Sequence, residues 1–205
     1  MSILTSSESL AKIKMLSLFT VGEVATLVDR AESLNAWCIA HTTSPTSNEN
    51  VVDKSRWDAS VVVDASHPEL FVDIKVRIYK AFRKYLDAAN DIPLVVDEVA
   101  IMRYEAGGHL WTHADASPTH GQRRRVSVVC YLNDDYQGGV TFFTQLNHGF
   151  RGHAGDALIF PSTYIHRSNV VEAGRKYVLI FFLSVYGKIA AGQLEAVQIG
   201  TGILR

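Results

Sequence analysis

From Asp97 onward the chain is a series of apolar runs of about four to eight residues, each broken by Gly, Asn or Asp. That pattern predicts an antiparallel sandwich or barrel, and it leaves helices only for the part that precedes it. Thr20 with Glu23 three residues later forms a capping-box signature, and Val21, Val24, Leu27, Val28, Ala31 and Leu34 recur at helical spacing, so a first helix should run to about residue 35. Ser66 and Pro68 open a second, longer helix. In it Phe71, Ile74, Ile78 and Phe82 make an apolar stripe, with Lys75, Arg77, Lys80 and Arg83 outside it as a solvated face. Residues 41–56 are polar and rich in turn formers, which marks a mobile loop, and a short strand around Ser60 to Asp64 follows.

Within the β region, His113 and Asp115 stand two positions apart in a strand that follows the glycine-softened turn at Gly107-Gly108. Residues i and i+2 of a strand project from one face, so both can reach one ion. A lone His-x-Asp pair is ordinarily structural, but His166 arrives downstream at the end of Gly155-Asp-Ala-Leu-Ile-Phe160-Pro161. Two neutral imidazoles and one carboxylate are the set with which non-heme Fe(II) oxygenases hold a metal on one face, leaving the other face open. Ten residues after His166 comes Lys176, in Gly174-Arg175-Lys176-Tyr177.

Read in order, these segments resemble the 2-oxoglutarate and Fe(II)-dependent dioxygenases, and within them the prolyl 4-hydroxylase-like family. The likeness covers roughly residues 95–187. It rests on Tyr104 nine residues before His113, on His113-x-Asp115, on Gly138-Gly139-x-Thr141, on Gly155-Asp-x-Leu-x-Phe160, and on a basic residue after His166. The resemblance implies an α+β, mainly β chain with a double-stranded β-helix (jelly-roll) core and an N-terminal helical layer. The expected organisation is one domain over residues 1–205, with a helical cap to about 94 and the β-helix core at about 95–187.

It further implies Fe(II) held by His113, Asp115 and His166, with 2-oxoglutarate and O2 as cosubstrates and ascorbate as an optional auxiliary. A dicarboxylate needs a cation at its far end. Arg175 and Lys176 point to opposite faces of their strand, so only one can serve; the family register favours Lys176, and Arg175 stays open as the alternative anchor. Tyr104 matches a family tyrosine that helps hold the same carboxylate, and Thr141 could place a hydroxyl near it. The glycines before Thr141 read as a turn or bulge. By alternation, His109 and Trp111 share a face with His113 and are candidate substrate contacts. One of Arg123, Arg124 and Arg125 facing the pocket mouth would favour an acidic substrate, although an exposed edge is the plainer reading.

The implied reaction is hydroxylation of an unactivated carbon in a prolyl or amino acid-like substrate, with release of succinate and CO2. Two further readings stay open: oxidative tailoring of a small-molecule biosynthetic intermediate, and a non-catalytic metal-binding sensor. The substrate is thus expected to be a peptide or a small molecule. With Lys plus Arg at 20 against Asp plus Glu at 21, the net charge of -1 gives no electrostatic footprint for nucleic acid or anionic lipid. Cys38 and Cys130 are too few for a disulfide framework, which fits a reducing compartment. No stretch approaches the roughly 18 apolar residues of a membrane span, and no leader pattern is seen, so the expected location is cytoplasmic.

Overall fold

Thr20 closes its capping box as the sequence predicts: its side chain accepts from the Glu23 amide, and the Glu23 carboxylate accepts from the Thr20 amide. The computed structural model describes residues 6–43, 50–87, 94–116 and 123–185. Among these, three α-helices precede the β region: α1 (Ser6–Leu10), α2 (Val21–Ser33) and α3 (Pro68–Asp87). α2 buries Val24, Leu27 and Ala31, while α3 buries Leu70, Phe71, Ile74, Ile78 and Phe82. Those are positions three or four apart on each helix, hence one face of each.

The larger sheet has seven strands in the order Lys14–Ser17, Asp156–Pro161, Arg124–Tyr131, Lys176–Val185, Leu94–Tyr104, Ser60–Val63 and Cys38–Ile39. A five-stranded sheet runs His148–Phe150, Thr141–Phe143, His166–Ser168, His109–His113 and Trp57–Asp58. The recorded pairings in both are antiparallel. This is the jelly-roll arrangement of two facing sheets.

The large sheet carries two cores because strand side chains alternate. In Lys176–Val185, Leu179, Phe181 and Leu183 point to the helices and join Val24, Leu27, Phe71, Ile78, Ile101, Val126 and Val128. From the other face, Val178 meets Met102, Tyr104, Tyr131, Leu158 and Phe160, with Phe143 from the smaller sheet. Burial on both faces explains why this strand reads as an unbroken apolar run rather than an alternating one. An ionic group ties α2 to the sheet: Arg103 Nη1 donates to both Glu32 carboxylate oxygens at 3.0 Å, stacks 4.5 Å from the Trp37 ring centre, and shares Glu32 with the Tyr177 hydroxyl.

The first 94 residues supply more than a helical layer. They place strands on both edges of the large sheet, and Trp57–Asp58 extends the smaller one. Of these, Ser60–Val63 answers to the strand expected around Ser60 to Asp64, while the two-residue strands and Lys14–Ser17 leave too short a period to be read as a pattern. Within the polar stretch 41–56, Thr42–Thr43 pairs with Asn50–Val51, and residues 44–49 lie outside the described ones. Residues 188–205, apolar but without period, also lie outside them.

Candidate active site

The strand His109–His113 pairs with His166–Ser168 so that His113 and His166 lie directly opposite each other. Asp115 follows just beyond the strand end, and one ligand atom from each of the three residues falls within 4.8 Å of the others. Each imidazole is oriented by its own backbone. His113 Nδ1 lies 2.7 Å from the Trp111 carbonyl and His166 Nδ1 lies 3.0 Å from the Tyr164 carbonyl. Those contacts require Nδ1 to carry a proton, which leaves the Nε2 lone pairs turned inward, the arrangement usual for histidines that ligate metals. The Nε2 atoms approach Asp115 at 3.3 and 3.6 Å.

Asp115 is held by Ser127, whose hydroxyl donates at 2.6 Å to Oδ2, the oxygen that also faces His166 Nε2, and lies 2.9 Å from the Ser162 hydroxyl. Burial alone would favour its protonated form, but His166, His113 and Ser127 hold the carboxyl well below the usual range. Burial dominates at His166 and lowers its pKa, whereas at His113 the neighbouring carboxylate outweighs burial and raises it. An ionised carboxylate between two inward Nε2 atoms is a donor set suited to a divalent ion. The residues present therefore fit a three-ligand metal centre.

Beside this cluster, Lys176 is 1 % exposed, whereas the Arg175 side chain is 46 % exposed and bound to Glu105 and the Tyr177 hydroxyl. Lys176 Nζ donates to the Gly139 carbonyl at 2.6 Å and to Ser168 Oγ at 2.9 Å, and the rings of Tyr104, Tyr131 and Tyr136 surround it at 5.4 to 6.0 Å. Among the described residues, no carboxylate lies within ion-pairing distance of it. A buried cation answered only by neutral groups is poorly compensated, and burial together with the Arg151 charge lowers its pKa to about 7. Gly139, at φ +60°, makes the approach possible: a Cβ there would stand 3.1 Å from Lys176 Cδ.

Tyr104 faces the same space. It is fully buried, its hydroxyl donates to Met102 Sδ at 3.4 Å, and burial raises its pKa, so the phenol stays protonated and able to donate. Thr141 Oγ1 is buried and accepts from the Tyr131 hydroxyl at 3.0 Å. Tyr131 and Ser168, which contact Lys176, are groups that the sequence does not single out. Ser168 could have been found, since it lies two residues from His166 on one strand; Tyr131 looked like any aromatic in an apolar run.

The alternation expected to carry His109 and Trp111 toward the metal ligands breaks down. The register shifts between His166 paired with His113 and Ser168 paired with Leu110, and Leu110, not its neighbours, packs into the core between the sheets. His109 is instead spanned between the Gly107 and Ser55 carbonyls, and Trp111 is 62 % exposed. Of the three arginines, Arg124 is the buried one. It pairs with Glu98, lies 3.8 Å over the Phe182 ring and contacts the Asp115 carbonyl at 3.4 Å.

Comparison with known proteins points the same way. The family profile described as the 2OG-Fe(II) oxygenase superfamily matches residues 99–184. A PKHD-type hydroxylase of Idiomarina loihiensis is 34% identical over 92 residues, which is 43% of this chain and 42% of that one. A PKHD-type hydroxylase of Hyphomonas neptunium is 39% identical over 84 residues, 36% of this chain and 37% of that one. The chain thus matches about two fifths of the length of these curated relatives. Among solved structures, a prolyl hydroxylase of Trichoplax adhaerens in complex with a hypoxia inducible factor peptide fragment superposes with TM-score 0.67 at 13% identity. That match covers 85% of this chain and 84% of the other. The viral collagen prolyl hydroxylase of Paramecium Bursaria Chlorella virus-1, as its 2OG complex, gives 0.62 at 15% identity, covering 86% and 97%. At such identities the likeness speaks for the fold.

Proposed function

We propose that this chain, whose residues 99–184 match the profile of the 2OG-Fe(II) oxygenase superfamily, is an Fe(II)- and 2-oxoglutarate-dependent dioxygenase that hydroxylates a prolyl or amino acid-like unit. The observation that carries the proposal is that the strand His166–Ser168 joins two features, its first residue belonging to one and its last bonded to the other. One is a three-ligand cluster of His113, Asp115 and His166; the other is a buried Lys176 with no carboxylate to answer it. Bound there, Fe(II) supplies the oxidative chemistry, coupling decarboxylation of 2-oxoglutarate to succinate and CO2 with insertion of one oxygen atom of O2 into a C–H bond.

The chain's own residues do the rest. Lys176 binds the far carboxylate of the cosubstrate through a charge-assisted contact, and the Tyr104 hydroxyl donates to the same group. Tyr131, Tyr136 and Phe143 exclude water from around that carboxylate, which strengthens each polar contact inside. Ser127 keeps Asp115 facing the two imidazoles. The substrate class is drawn from the named activities of the relatives, among them the prolyl hydroxylases of similar fold.

The test is anaerobic reconstitution with Fe(II) and 2-oxoglutarate, followed by air in the presence of proline-containing peptides or free amino acids. Succinate released in proportion to a product heavier by one oxygen atom is the expected outcome. Binding of 2-oxoglutarate without succinate release under any of these substrates would instead identify a sensor module.

A further inference from the structure

The minor-sheet strand Trp57–Asp58 brings an indole into the space beside Tyr104. Trp57 packs against the core that contains Tyr104, Tyr131 and Phe143, and its Nε1–H is buried without a hydrogen bond of ordinary geometry. Leaving such a donor unanswered costs about 1 to 3 kcal/mol, so it calls for an acceptor in at least one working state of the protein. The oxygen it approaches is the Tyr104 hydroxyl, close enough for the indole to act on the phenol as a hydrogen-bond donor that lowers its pKa, against the larger effect of burial.

Several contacts hold the indole in this place. Trp57 stands opposite Leu110 in the sheet, the Trp111 amide donates to the Arg56 carbonyl at 2.7 Å, and His109 Nε2 lies 3.0 Å from the Ser55 carbonyl. Gly108 sets the closeness. A Cβ there would stand 2.9 Å from the Asp58 carbonyl oxygen and 3.1 Å from Tyr104 Cβ, so any larger residue would push this strand off the tyrosine.

We propose that Trp57 is a positioning residue for the cosubstrate: its indole N–H donates to the Tyr104 oxygen when that hydroxyl turns from the Met102 thioether to a carboxylate of 2-oxoglutarate. A thioether is a weak acceptor and a carboxylate a strong one, so the exchange is favourable for the hydroxyl. A phenol that accepts a hydrogen bond also donates a stronger one, so the indole both finds its acceptor and tightens the ligand contact. No proton is transferred; Trp57 acts through Tyr104 and touches neither the metal ligands nor the reacting carbon. The inference rests on the oxygenase reading above.

The test is calorimetric titration of 2-oxoglutarate into the full chain loaded with Mn(II), which binds without turnover. Trp57→Phe keeps an aromatic ring and deletes the N–H, and should weaken 2-oxoglutarate about tenfold while leaving Mn(II) affinity and Tm close to those of the parent. Replacing Trp57 by the isosteric benzothienylalanine, which exchanges only N–H for S, should give the same loss and covers the case in which the phenylalanine variant packs poorly. Tyr104→Phe should also weaken binding, and the double variant should be no worse than Tyr104→Phe alone. Unchanged affinity in both Trp57 variants, or losses that multiply in the double variant, would overturn the inference with the oxygenase reading intact. A parent protein that binds no 2-oxoglutarate at all would overturn both.

Discussion

At the scale of single residues, position 176 separates two chemistries that the sequence alone leaves adjacent. Lys176 is buried among the rings of Tyr104, Tyr131 and Tyr136 and Arg175 lies in a surface ion cluster, so Lys176→Ala should weaken 2-oxoglutarate by about 10- to 100-fold, while Arg175→Ala changes it little. Titration of both variants decides the ranking, and the reverse order would move the anchor to Arg175. A pH dependence follows from the same burial. The groups facing Lys176 are the Gly139 carbonyl, Ser168 and the rings of Tyr104, Tyr131 and Tyr136, with the Arg151 charge nearby; together they leave its pKa at about 7. A dianionic ligand favours the charged amine, so above about pH 7 binding must first take up a proton. Affinity should then fall by up to about tenfold per pH unit, levelling below pH 7, where the amine is already charged. Titrations above neutrality that show a flat affinity would place the cation elsewhere. That His113, Asp115 and His166 stand together and that Lys176 is the buried member of its pair were legible, because metal and carboxylate chemistry each restrict the residue types that can serve. Trp57 was not, since only the register of a two-residue strand brings it beside Tyr104.

At the scale of elements, a glycine explains how the helices are joined to the sheet. Gly155 opens the strand Asp156–Pro161 at φ +95°, and its carbonyl accepts from the Leu18 and Phe19 amides just before α2 begins. A Cβ at this position would overlap the Phe19 carbonyl, which is rigid backbone. Gly155→Ala should therefore destabilise the fold by about 2 kcal/mol or more, through the positive φ and the clash together. Urea unfolding measures this, and a loss under about 0.5 kcal/mol would show that the Leu18–Phe19 segment can shift freely. The same scale shows what a sequence reveals of elements. α2 and α3 were readable from their caps and apolar spacing because each is long enough to repeat its period. The register shift that displaces His109 and Trp111 was not, because the extra residue leaves no mark in a strand whose side chains are all plausible on either face.

For the whole molecule, the question is whether the helical part and the β core fold as two units or one, and we propose one. Phe71, Ile78 and Phe82 of α3 and Val24 and Leu27 of α2 share a single buried cluster with Ile101, Val128, Leu179 and Phe181 of the large sheet. The segments before residue 94 also pair with both edges of that sheet, which would otherwise present open backbone donors and acceptors. Cutting the chain at residue 95 would thus expose an apolar sheet face and two unpaired edges at once. We expect the full chain to unfold in one cooperative transition, with calorimetric and van't Hoff enthalpies in agreement. The fragment 95–187 should show neither that transition nor a fixed near-ultraviolet dichroism. Two separated transitions, or a fragment that melts sharply by itself, would make the β core autonomous. The fragment would lack Trp57–Asp58 from the minor sheet as well, so even a partly folded core should bind 2-oxoglutarate less well than the intact chain.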